Sequence, residues 1–168
     1  MRIKDIVIIG MMSALLITVQ VAFSFLPNVE LVSLLIILCT LILGYRTLFI
    51  IYVFAACEIF IYGLGIWTIN YLYVWTILYL VTMAFRKESS PYFWAVLSGL
   101  YGLSFGALCS LPYFFSGGFP TMAAYWVSGI LFDFAHGVSN FVIALVLFRP
   151  LYYLINRIFC KWESTNQI

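Results

Sequence analysis

The chain has 168 residues, 65% of them hydrophobic and only 8% charged, with a mean hydropathy of +1.13. Soluble domains carry about 25% charged residues, and one of this size leaves about a third of its unfolded surface in water, so the composition excludes a soluble fold and indicates a single integral membrane domain over 1–168. A net charge of +2, with no basic run interleaved with polar residues to track phosphates, gives no footing for nucleic-acid binding.

A spanning helix needs about 20 residues, within roughly 17–25. Arg2 and Lys4 precede an apolar run that imitates a secretory leader, and Ala22-Phe23-Ser24 resembles a cleavage site. The run 6–26 is longer than the usual apolar region of about 7–15 residues, so it reads as a retained first span, ended by Pro27-Asn28. The second span, 31–43, is short and ends at Gly44-Tyr45-Arg46. The third, 47–64, is closed by Gly63 and Gly65. The fourth, 71–85, ends at Arg86-Lys87-Glu88, and the fifth, 92–111, is stopped by Pro112. A connector through Ser116-Gly117-Gly118-Phe119-Pro120 leads to the sixth span, 122–148, ended by Arg149-Pro150.

These boundaries predict an all-α membrane protein of six transmembrane helices, and its cations orient it. With the N-terminus inside, the inner segments hold Arg2, Lys4, Arg46, Arg86, Lys87, Arg149, Arg157 and Lys161, which is every one of the 8 Lys and Arg residues. Cytoplasmic loops carry the excess of Lys and Arg, so both termini are expected inside. A five- or seven-span arrangement would strand some of these charges outside.

An ionisable side chain within lipid costs about 2.5–3.5 kcal/mol on insertion scales and faces protein or a watery cavity. Glu58 and Asp133 are the acids inside expected spans. Asp133 lies roughly 16 Å into the sixth span at 1.5 Å per residue, near the midplane. On a wheel of about 100° per residue, His136 and Asn140 fall about 60° and 20° from it, so the three share one face. This stripe predicts one wall of a cavity descending from outside, with Trp126 near its outer end. Internal satisfaction of Asp133 and His136 by each other or by the backbone is the alternative.

The third-to-fourth connection, "YGLGIWTINYLYVW", carries Trp67, Asn70, Tyr71 and Trp75. Such residues form either an interfacial aromatic belt or a stacking wall for a ring-shaped ligand, with Asn70 as an orienting group. Glu30 is the only charged residue expected outside. It suits the N-terminus of the second helix, whose dipole favours a carboxylate. Small residues recur at Gly10 and Ala14, and at Ser98, Gly102 and Gly106, where helix backbones approach closely.

Several chemistries are not supported. One His and four isolated Cys offer no metal-ligand spacing. No Gly-x-Ser-x-Gly sequence and no Walker A sequence occurs, so neither hydrolase chemistry nor ATP hydrolysis is expected of this chain.

The stretches "ALLITVQVAFSFLPNVELVSLLIILCTLILG" (14–44) and "YWVSGILFDFAHGVSNFVIALVLFRPLY" (125–152), within a six-helix chain with both termini inside, resemble the substrate-binding S components of energy-coupling factor (ECF) transporters of bacterial cell membranes. The resemblance covers essentially the whole chain. It implies a vitamin or related micronutrient captured from outside in a pocket built by the first outer loop and helices four to six. Delivery would run through a transmembrane scaffold subunit and two cytoplasmic ATP-binding subunits, which would use ATP and Mg while this chain binds no cofactor. It also implies that Gly10 and Ala14 contact the scaffold, Gly standing where the family pattern has Ala. The implied pocket residues are Glu30, Asn70, Tyr71, Trp75, Asp133, His136 and Asn140, with Trp67 and Trp126 at the mouth. Rival readings are a self-contained proton-coupled carrier relaying through Asp133 and His136, and a non-transporting assembly factor whose polar stripe is internal packing.

Overall fold

Several helix ends in this chain are marked by glycines or a proline: Gly44 and Gly63 each follow a helix, Gly65 precedes one and Pro91 begins another. A computed structural model describes the backbone of residues 3–164 and the side chains of residues 3–159; Arg2 and the Lys161 side chain lie outside the described residues. Five helices follow in order: α1 (Ile3–Phe23), α2 (Val32–Leu43), α3 (Arg46–Tyr62), α4 (Ile66–Ala84) and α5 (Pro91–Ser164). Between α1 and α2 the chain turns through Pro27 and Asn28, whose φ is 61°. Gly44, at φ 58°, ends α2 by donating its amide to the Thr40 carbonyl and accepting from Thr47 N–H, which reverses the chain within two residues.

The expectation of six separate spanning helices is corrected to five helices, of which three are long and apolar enough to cross a membrane: Ile3–Phe23, Ile66–Ala84 and Pro91–Phe159. The expected second and third spans become α2, of 12 residues, and α3, of 17. At 1.5 Å per residue these reach roughly 18 and 26 Å, against about 30 Å of hydrocarbon. The expected fifth and sixth spans are the two arms of α5, which breaks at Gly117 (φ −154°) and Gly118 (φ 71°).

Pro112 does not stop the first arm, as expected from sequence; the helix runs on to residue 116. A proline cannot donate to the carbonyl four residues back, which here is Leu108. The Tyr73 hydroxyl of α4 donates to that carbonyl at 2.6 Å, supplying the missing hydrogen bond from a neighbouring helix, as membrane helices with internal prolines require.

The arms of α5 fold against each other as an antiparallel hairpin. Tyr113 stacks on Tyr125 beside the break, and Trp94 stacks on Phe148 far from it. Between these rings the backbones nearly touch: a Cβ added at Gly102 would lie 2.9 Å from Gly137 Cα and from the His136 carbonyl. The small-residue row of the first arm is therefore the seam of the hairpin. Gly10 and Ala14 of α1 instead face outward, and a Cβ added at Gly10 meets nothing within 4 Å.

The short α2 is buried almost all round, from Val32 through Thr40. A helix apolar on every face belongs in the middle of a bundle, and α1, α3, α4 and α5 surround it. Buried Asp5 of α1 pairs with Arg46 of α3 at 3.0 Å. Outward-facing positions such as Phe60, Leu64, Phe115 and Leu131 are large, apolar and exposed. Apolar exteriors on long apolar helices indicate a multi-pass membrane protein.

Candidate functional site

The loop 24–31 joins α1 to α2 and sets Glu30 just before the first turn of that buried helix. That geometry brings Glu30 into the interior. Its carboxylate accepts the Ser33 amide at 2.9 Å and the Ser33 hydroxyl, capping α2 as its place before the helix suggests. The same carboxylate accepts from His136 Nε2 at 3.3 Å, bridging the loop to the second arm of α5. Asn140, one turn on, donates to the Ser33 hydroxyl at 3.4 Å. The side chain of Glu30 is only 15% exposed. Burial by itself would raise its carboxyl, but the His136 ring and the two Ser33 groups outweigh it and hold the carboxyl below the ordinary carboxylate value.

Above this junction lies a cavity of about 540 Å³, lined by the loop 24–31, Gln20 of α1, Tyr71 and Trp75 of α4, and both arms of α5. Its size falls within the range of roughly 300–1,000 Å³ typical of small-molecule sites. Glu30, Asp133 and His136 line it together. Asp133 Oδ1 accepts the Gly106 amide at 2.9 Å, and a Cβ at 106 would push the carboxylate from this position. Asp133 Oδ2 is buried without a hydrogen bond, as is the Trp75 indole nitrogen; Trp126 is a potential donor to the same carboxylate. The walls are aromatic. Trp75 stands edge-on to Tyr71 with centroids 5.7 Å apart, and Phe105 packs against Trp75 at 5.7 Å and His136 at 4.9 Å.

The stripe expected on the sixth span is present as a buried face: Asp133, His136 and Asn140 are 8%, 7% and 2% exposed. Six of the expected site residues, Glu30, Tyr71, Trp75, Trp126, Asp133 and His136, line the cavity. Three do not. Asn140 lies beneath it on Ser33. Asn70 is buried against the Tyr73 hydroxyl at 3.0 Å and so belongs to the tie between α4 and α5. Trp67 stands edge-on to Tyr71 at 5.3 Å, behind the wall. Glu58 is buried in α3 outside the lining, with Oε1 unpartnered.

Sequence reasoning missed Phe105, Cys109, Tyr125 and Phe132, apolar or aromatic lining residues that carry no local signal. Gln20 is different: a lone carboxamide in an apolar helix, it donates to the Tyr71 hydroxyl at 3.3 Å, and its polarity in that context was the available signal. Among the described residues, no group of His, Cys, Asp and Glu is arranged to hold a metal ion. Glu30 is engaged with His136 and Ser33, and Asp133 with the Gly106 amide. No known protein family, curated protein or solved structure matches this chain.

Proposed function

We propose that this chain is the membrane-embedded substrate-binding subunit of an ECF-type importer, capturing a small ring-bearing micronutrient and passing it to a scaffold subunit driven by two cytoplasmic ATPases. The observation that carries this reading is an aromatic-walled cavity of about 540 Å³ into which Glu30, Asp133 and His136 converge. Aromatic walls with a few polar groups among them suit a small molecule. A ring-bearing ligand stacks on Tyr71 or Phe105 and pairs with those polar groups.

In this reading the two arms of α5 each cross the bilayer, as do α1 and α4. Both termini are then cytoplasmic and the cavity opens outward. The outward-facing Gly10 and Ala14 support a scaffold contact on α1, because small residues let a partner helix approach closely.

The test is reconstitution into vesicles with and without an ATPase module of this type. Uptake that requires ATP and the module, and that survives a protonophore, agrees with the proposal. Uptake by this chain alone, driven by a pH gradient, would instead make it a proton-coupled carrier.

A further inference from the structure

At the end of the bundle away from the cavity, the α4–α5 turn and the last part of the second α5 arm enclose a hollow of about 550 Å³. Arg86 and Lys87 enter it from the turn and Arg149 from the arm. Among the described residues the ion pairs are Arg46–Asp5 and His136–Glu30, so these three cations have no carboxylate of their own. The acid in the same hollow, Glu88, turns its carboxylate onto the amides of Ser89 and Ser90, both at 2.9 Å, just before α5.

Behind the opposite wall stands an aromatic ladder. Trp94, Phe148 and Tyr152 stack in sequence, with centroids 6.2 and 5.9 Å apart and planes within 10°. The Trp94 indole is pinned by donating to the Glu88 carbonyl at 3.2 Å. Trp94 and Phe148 are buried, so the rings that reach the surface of the hollow are half-buried Tyr152 and exposed Tyr153. Cations at one edge and tyrosine rings beside them match a molecule that is anionic at its head and apolar beneath it.

We infer that this hollow binds the phosphodiester headgroup of an anionic phospholipid, with Arg86, Lys87 and Arg149 on the phosphate and the upper acyl chain along Tyr152 and Tyr153. The inference rests on the chain lying in a bilayer with this end cytoplasmic, and is independent of what fills the other cavity. Basic pockets between helices on the cytoplasmic side are suited to anionic headgroups. With Glu88 in the same hollow, three cations against one carboxylate (3 − 1) leave it at +2.

The experiment is native mass spectrometry of the full chain released from vesicles of equal phosphatidylglycerol and phosphatidylcholine, counting lipids retained. Each Lys or Arg near a membrane surface contributes about five-fold to the affinity for anionic lipid. The triple variant Arg86→Gln/Lys87→Gln/Arg149→Gln should therefore bind phosphatidylglycerol about a hundred-fold more weakly. Arg157→Gln, an exposed cation outside the hollow, should retain it like the parent chain. The three single variants, each about five-fold weaker, serve the same purpose should the triple variant fail to fold.

Equal retention of the two lipids, or full retention of phosphatidylglycerol by the triple variant, overturns the inference. Thermal protection by inorganic phosphate in phosphatidylcholine nanodiscs, equal to that by phosphatidylglycerol, would assign the site to free phosphate and overturn the lipid. A triple variant that keeps phosphatidylglycerol but loses an ATPase module on purification would make the hollow a protein-docking surface, also against the inference.

Discussion

Glycine-to-alanine substitution at two positions should move stability in opposite directions. At Gly102 the added methyl would sit 2.9 Å from Gly137 Cα and the His136 carbonyl, and 3.0 Å from Gly137 N. Carbon pairs rest at about 3.5–4.0 Å, and these are backbone atoms that no rotamer change moves aside. The α5 arms must part by roughly 0.5–1 Å. Overpacking of this kind costs about 1–3 kcal/mol. The same displacement carries His136 away from Glu30, whose contact at 3.3 Å is already near its limit, at a further cost of about 1.5–3 kcal/mol for a charge-assisted hydrogen bond. The gain in helix propensity, about 1 kcal/mol, offsets only part. We predict a net loss of about 1.5–5 kcal/mol for Gly102→Ala, the difference of those contributions. At Gly10 an added methyl meets nothing within 4 Å, so Gly10→Ala should be neutral or stabilising by up to about 1 kcal/mol. The assay is equilibrium unfolding of the purified protein in mild detergent, titrated with a denaturing detergent and followed by circular dichroism. If Gly102→Ala is as stable as the parent chain, the close seam between the α5 arms is wrong.

Three further substitutions probe separate links. Tyr73→Phe removes the hydroxyl that serves the Leu108 carbonyl left free by Pro112; stability should fall by about 1–3 kcal/mol, measured by the same unfolding titration, with ligand affinity unchanged. Asp133→Asn removes a charge-assisted acceptor worth about 1.5–3 kcal/mol, so ligand affinity by calorimetry should fall roughly ten- to hundred-fold while the fold persists. Glu30 has a carboxyl held below its ordinary value in the folded chain, so its ionised form stabilises the fold above the unfolded-state pKa. That contribution is lost as pH falls through the lowered folded value. Unfolding titrations of the parent chain should show a loss in that acid window that Glu30→Gln lacks, and an identical pH profile for the two would contradict the His136–Glu30 pairing.

Much of the site was legible because lipid-buried helices make polar residues conspicuous. Asp133, His136 and Asn140 share a face by helical period alone, and the structure buries that face. The bend at Gly117-Gly118 was legible as a connector because two adjacent glycines interrupt a proline-flanked stretch. The pairing of Glu30 with His136 across 106 residues was not, because it depends on α2 sitting at the centre of the bundle. Pro112 read as a stop since its rescue comes from a hydroxyl on another helix, which no local pattern encodes. Asn70 read as a ligand contact, yet it spends its carboxamide on Tyr73; a polar residue in a helix shows that a partner exists, not which one.

The central claim is that the aromatic cavity holds a small ring-bearing micronutrient. Trp75 and Trp126 line it, so intrinsic tryptophan fluorescence of the purified chain titrated against a panel of water-soluble vitamins and their precursors tests the claim directly. The account predicts saturable quenching by one compound at nanomolar concentration, weakened in Asp133→Asn. Unchanged fluorescence across the whole panel, from a folded protein, would contradict it.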